Sequence, residues 1–239
     1  MTGNPFMSLR EDRKQQSHQA LLDATLAFSS QGRAFSTISL REVANAVGVV
    51  PTAFYRHFQD MNQLGLELLD QVAIHIKGVL NQLGQAYLYQ PNTRTHTGLE
   101  LFFQAVEYHP EPWIFFVAER WGGSDVLRVG IEREIHFLAE DVMHELAKMQ
   151  STRHIQASQD LQALAQMLIE LSLNWAMGWI HLQHQIDPEL RRAQSNAFKT
   201  QSVLQMQLLL RGILHWYRRP AKTVETASPV LNEAVIPPA

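Results

Sequence analysis

Glu132, His136, Glu140 and His144 recur at every fourth position through "EREIHFLAEDVMH". That spacing stacks metal-ligand residue types on one face of a helix. One helix cannot enclose an ion, however, and a bundle di-metal site needs Glu-x-x-His on two helices. The sequence supplies no such pair, so the stripe reads as a solvated face with i,i+4 pairs. His181 and His184 in "HLQH" offer two ligands without partners. There is no Gly-rich phosphate loop, no Ser/His/Asp set in a nucleophile context and no zinc-hydrolase motif. No catalytic residue, metal site or cofactor is expected, and a metal-carrying or catalytic helical bundle stands as the alternative of a different class.

A second constellation suits recognition better than catalysis. "VPTAFYRHF", residues 50–58, carries three aromatic rings, an arginine and a histidine behind a proline. Pro51 fits the first position of a helix, where its missing N–H costs nothing. At 100° per residue, Pro51, Phe54 and Phe58 cluster on one side. Thr52, Ala53, Arg56 and His57 fall on the other, with Tyr55 at the boundary. A helix that is small near its N-terminus can enter the DNA major groove, where an arginine can pair with guanine O6 and N7. Tyr55 and His57 can donate to phosphates. The expected DNA-binding residues are Arg41, Pro51, Thr52, Ala53, Tyr55, Arg56 and His57.

The elements that position these residues are helical almost throughout, which predicts an all-α fold. A first helix is expected from about Asp12 to Ser30, with Gly32 ending it. "SLRE" is a capping box, Ser39 capping and Glu42 reaching back, and Gly48 stops that helix after about two turns. Two short helices joined by "VGVV" form a helix-turn-helix. Asp60, with Gln63 three residues on, opens a helix running to about Leu83 and closed by Gly84. After the loop "YQPNTRTH", helices are expected from Thr97, from Pro112 to "WGG", from Ser124 to about Met149, from Ser158 to His184 and from Pro188 to Tyr217. The domain reading is a disordered arm over 1–11, a DNA-binding domain over 12–60, a helical regulatory and dimerisation domain over 61–219, and a disordered tail over 220–239.

The chain of 239 residues has a net charge of −3, 46% hydrophobic residues and no cysteine. A uniformly basic nucleic-acid protein is excluded. Residues 1–60 hold six Lys/Arg against five Asp/Glu, and the remainder 14 against 18, so any DNA-binding surface belongs at one end. The absence of cysteine fits a reducing, cytoplasmic setting, and no run is long and apolar enough to predict a membrane span.

"FSTISLREVANAVGVVPTAFYRHFQDMNQL", residues 35–64, resembles the DNA-binding head of TetR-family transcriptional regulators. The matching features are Leu-Arg-Glu-Val-Ala, Gly48-Val49 at the turn, Phe54-Tyr55-x-His57-Phe58 and a leucine six residues later. The resemblance implies that residues 40–47 lie over the DNA backbone and that Arg41 reaches a base or phosphate. It also implies a near-palindromic double-stranded operator and a homodimer built through the last two helices. Met61 stands where many members carry a phosphate-contacting lysine. "ERWGGSDVLRVGIEREIHFLAE" in the body further resembles the FabR and DesT group, the repressors of unsaturated fatty-acid synthesis in this family. That implies repression of unsaturated fatty-acid synthesis or desaturation genes, with a long-chain acyl-CoA or acyl-carrier-protein thioester as effector. In that group, unsaturated chains favour DNA binding and saturated chains oppose it. The alternative within the family is a sensor of another apolar compound controlling efflux or degradation genes.

Such a sensor needs an apolar cavity. Trp113, Phe116, Val117 and Trp121 follow helical spacing in "PEPWIFFVAERWGG", and Phe102, Phe103 and Val106 come from the preceding helix. With Trp175 and Trp179 as a far wall, these are the expected lining of an acyl slot, and Arg120, Arg128 and Arg133 the expected cationic mouth. The last two helices are apolar on more than one side, at Leu161, Leu164, Leu168, Leu171 and Trp175 and at Phe198, Val203, Leu204, Leu208, Ile213 and Leu214. A helix buried on two sides needs a second partner, which a four-helix interface between two chains supplies.

Overall fold

A computed structural model describes residues 5–88, 95–149, 152–155 and 157–216. All the regular structure among them is helical: α1 (Pro5–Ser30), a 3-10 turn (Phe35–Thr37), α2 (Leu40–Ala46), α3 (Pro51–Phe54), α4 (Met61–Leu88), α5 (Thr95–Tyr108), α6 (Glu111–Glu119), α7 (Asp125–Lys148), α8 (Ser158–Gln183) and α9 (Pro188–Leu214). Residues 1–4, most of the "YQPNTRTH" loop and the expected tail over 220–239 lie outside the described residues.

The local signals act where the sequence places them. Ser39 accepts from the Glu42 N–H while the Glu42 carboxylate accepts from Ser39 N–H, a complete capping box. Asp60 Oδ1 accepts from Gln63 N–H at 2.8 Å. Gln63, however, takes the N–H of Gln59 at 2.6 Å rather than that of the cap. Ser124 accepts from Leu127 N–H and Asp187 from Glu189 and Leu190, which start α7 and α9. Gly48 holds φ +71° between α2 and α3, a left-handed turn that glycine enters without a Cβ penalty.

Three boundaries are corrected. Helix α1 begins at Pro5 rather than Asp12, so residues 5–11 of the expected arm are helical. Helix α4 passes through Gly84 and continues to Leu88. A mid-helix glycine costs only about 1 kcal/mol, which the packing of Val79, Leu80 and Leu83 against the core offsets. Helix α5 starts two residues before Thr97.

One core runs from head to body. Leu21, Leu22, Val43, Phe54, Phe58 and Leu64 fill the head, and α4 carries Leu68, Leu69, Val72 and Ile76 onward to the body helices. No helix among the described residues is long and apolar enough to cross a membrane.

Candidate nucleic-acid interface and effector site

The segment expected to read DNA is α-helical only over Pro51–Phe54. The turn continues through bonds from Arg56 N–H to Ala53 O, His57 N–H to Phe54 O and Phe58 N–H to Phe54 O. The last of these keeps Phe58 on the inner side: Phe54 is 0% exposed and Phe58 1%. With both rings anchored, Thr52, Tyr55 and Arg56 project outward, and Arg41 on α2 is also exposed. Pro51 and Ala53 are half-buried at the helix start. The wheel reading needs one correction. His57 is half-buried, its Nδ1 is buried without a partner, and its ring lies 5.7 Å from that of His18. Burial, with the charges of His18, Lys14 and Arg56, pushes the His57 pKa down. This ring packs α3 against α1 and has only its outer edge available to a phosphate. The His18 imidazole in turn pairs with Glu67 of α4. Exposed Val50 extends the outer face ahead of the helix.

The body departs further from expectation. Phe102, Phe103, Val106, Trp113, Phe116, Trp175 and Trp179 are all buried in one core, and the rings of Phe102, Phe103, Trp113 and Trp179 pack on one another. Phe102 meets Phe103 and Trp113 edge-on at 5.5 and 5.6 Å, and Phe103 stacks on Trp179 at 4.8 Å. Polar bonds tie two of the indoles to neighbouring helices, while Trp113 Nε1 is buried without a partner. Trp175 Nε1 donates to Gln205 at 2.7 Å and Trp179 Nε1 to Glu107 at 3.3 Å, and Lys199 sits over the Trp179 ring while pairing with Glu100 at 2.6 Å. Val117 is half-buried against the same core, and Trp121 is 79% exposed. All but exposed Trp121 belong to the core or pack against it, and none of them lines an apolar slot found elsewhere in the body.

That slot lies between α4, α7, α8 and α9, with a volume of ≈ 130 Å³. Leu80, Leu83, Leu146, Ile169, Met206 and Ile213 supply most of its walls, and Asn81, Glu145 and Ser172 its polar atoms. Its apolar positions recur at helical spacing on four helices, which in sequence is indistinguishable from core. The arginines do not form its mouth. Arg120 and Arg133 line a separate open groove of ≈ 1130 Å³ on another face of α8. There Arg120 holds Glu170 in a two-pronged pair at 2.8 and 2.6 Å, which keeps the Glu170 carboxyl below its usual range. Arg133 pairs with Glu134 at 3.1 Å. Arg128 turns back to Asp125 and to the carbonyl of Gly122, lining neither cavity. In the stripe on α7, His136 pairs with Glu140 at 3.3 Å, and His144 Nδ1 donates to the Glu140 carbonyl at 2.7 Å. Among the described residues, no group of three or more His, Asp or Glu is placed to hold a metal ion.

Beside Ala163 and Leu209, α8 and α9 present an apolar depression of ≈ 490 Å³ to solvent. Met167, Leu204, Leu208 and Trp216 are 46–59% exposed on these helices and the turn after them.

No family model matches the chain. Its fold is found among solved structures. A transcriptional regulator of the TetR/AcrR family superposes with a TM-score of 0.55 at 20% identity, over 82% of this chain and 99% of that one. The fatty acid degradation regulator FadR from Bacillus halodurans does so with a TM-score of 0.55 at 13% identity, over 92% and 100%. FadR from Bacillus subtilis, in complex with stearoyl-CoA, gives a TM-score of 0.55 at 12% identity, over 84% and 99%. The all-α architecture of this chain, a short helix-turn-helix head on a helical body, is therefore the fold of the TetR-family transcriptional regulators.

Proposed function

We propose that the chain is a homodimeric, DNA-binding transcriptional repressor whose operator affinity is set by an apolar effector. The carrying observation is the outer face of α2 and α3. Thr52, Tyr55, Arg56 and Arg41 are exposed on a helix-turn-helix whose inner face is locked by Phe54 and Phe58. Exposed side chains on a rigid backbone are what base readout requires. A second chain packed on the exposed apolar face of α8 and α9 would present two such heads to one operator.

The effector reading is a long-chain acyl thioester, with unsaturated fatty-acid synthesis or desaturation genes as targets. The likeness of the fold to a regulator solved with stearoyl-CoA supports it, as does the apolar slot beside α4. At ≈ 130 Å³ the slot is smaller than the roughly 300–1,000 Å³ of a pocket that holds a drug-sized ligand. A long chain must therefore part the helices to enter. Leu80, Leu83 and Gly84 of α4 line the slot, and the same helix begins at Met61 under the head. Parting it displaces the head, and a ligand shifts an equilibrium only through such differential fit. The slot's small size also favours a second reading, a sensor of a more compact apolar compound. Enzymatic function is not part of either reading.

Operator affinity measured by fluorescence anisotropy with oleoyl-CoA, palmitoyl-CoA and free CoA tests the proposal. The expected result is tighter binding with oleoyl-CoA and looser binding with palmitoyl-CoA, by about 1–3 kcal/mol. Identical isotherms in all three, with DNA binding intact, would remove the acyl reading and leave the compact-ligand one.

A further inference from the structure

Glu119 closes α6 and is 1% exposed. Its Oε1 accepts the backbone N–H of Phe35 at 2.7 Å, across 84 residues of sequence. Its Oε2 is buried and has no partner. A carboxylate in such a place is costly, because burial disfavours the charge and one hydrogen bond leaves most of its lone pairs empty. An apolar side chain would pack there more cheaply.

What the carboxylate holds is the piece of chain that leads into the helix-turn-helix. Phe35–Thr37 is a 3-10 turn, stiffened by bonds from Thr37 N–H to Ala34 O and Ile38 N–H to Phe35 O. Ser39, the cap of α2, follows after one residue. The Phe35 ring is 3% exposed and presses on Gly65 of α4, where a Cβ would stand 2.6 Å from the ring. The turn after α6 closes from the other side: a Cβ on Gly123 would stand 2.5 Å from Ser36 Oγ. Phe35 is thus keyed by its ring to α4 and by its amide to α6, and no flexible segment intervenes before α2. Displacement of α6 relative to α4 must turn this wedge, and α2 and α3 with it.

We infer that Glu119 is a positioning residue that fixes the angle of the DNA-binding head on the body, and so fixes the half-site spacing that the dimer accepts. This rests on the DNA-binding reading above. The bond orients the head as a unit and touches none of the residues that read a half-site. Its loss therefore spares recognition of one half-site and relaxes the demand for a given separation.

The test begins with an operator selected from random duplexes by the wild-type chain. Affinities are then measured for that operator, for a single half-site, and for operators with one base pair inserted or removed at the centre. Glu119→Leu removes the acceptor, whereas Glu119→Gln keeps a carbonyl oxygen to receive Phe35 N–H. With Glu119→Leu, the full operator should weaken about tenfold, equivalent to about 1.4 kcal/mol, and half-site affinity should stay within about twofold. Discrimination against the shifted operators should fall by about the same tenfold factor, and Glu119→Gln should restore it. Should Glu119→Leu not fold, Gly123→Ala, which lifts the turn off Ser36, is expected to relax the spacing in the same way. Unchanged spacing discrimination in the folded variant, or equal loss on half-site and full operator, would overturn the inference. A wild-type chain that selects no operator is a different result, and it overturns the DNA-binding reading together with this inference.

Discussion

Arg56→Ala isolates the base-reading step of the proposed function. Arg56 is exposed, and no ion pair or hydrogen bond of its side chain exists among the described residues. The rings that shape α3, Phe54 and Phe58, are elsewhere in the core. The substitution should therefore change folding stability by no more than about 0.5 kcal/mol, as exposed positions do. In the complex a bidentate arginine–guanine pair discriminates by about 1–3 kcal/mol. A homodimer loses two such pairs, so the selected operator should weaken by about 2–6 kcal/mol, a factor of about 30 to about 20,000 at about 1.4 kcal/mol per decade. Random DNA should weaken far less, because non-specific binding rests on phosphate contacts. The informative quantity is the ratio of operator to random-DNA affinity, measured by anisotropy at matched salt alongside a urea melt. Tyr55→Phe is the control: it should weaken both DNAs by similar factors, since a phosphate contact carries no base information. An unchanged ratio for Arg56→Ala, with stability intact, would refute the assignment of this face.

Leu208→Glu places a charge on a side chain 59% exposed in the single chain; the protein should stay folded but sediment as a monomer and lose the full operator. Trp113→Ala empties a fully buried site packed on Phe102 and should cost about 3–5 kcal/mol, read as a lowered urea midpoint. Ser172→Leu projects into the slot between α4 and α9; it should diminish the acyl-CoA response while operator affinity without ligand persists. Burial pushes the Glu119 pKa above 4.5, so its contribution to stability is full below the unfolded value and lost as pH rises through the folded one. Glu119→Gln should accordingly gain stability relative to wild type as pH is raised above about 4.5, a typical carboxylate value, in urea melts across that range.

The head was legible because its signals are local. A capping box is four residues long, a left-handed turn calls for glycine at one position, and Phe54 and Phe58 are one helical turn apart. Even there, His57 escaped. Its position on a wheel cannot report that α1 brings His18 beside it. Gly84 misled because a glycine that ends a helix and one that is carried through by tertiary packing look alike in sequence. The rings expected to line an acyl slot pack as core for a deeper reason. Ring spacing in α5 and α6 establishes burial, but whether buried rings fill space or border a void depends on helices distant in the chain. Here Trp179, Phe198 and Lys199 fill it. In sequence Glu119 is only the first residue of the quoted "ERWGG" stretch, with Arg120 beside it, and nothing there reports its partner 84 residues away.

The most direct test of the central claim is selection of random duplexes by the purified wild-type chain, followed by footprinting of the enriched sequence. Recognition by two copies of α3 predicts a near-palindromic site with half-sites centred about 34–36 Å apart or a multiple of that. Arg56→Ala should fail to enrich the same bases within each half-site. Enrichment of no sequence, or of one without internal symmetry by a chain that sediments as a monomer, would contradict the account.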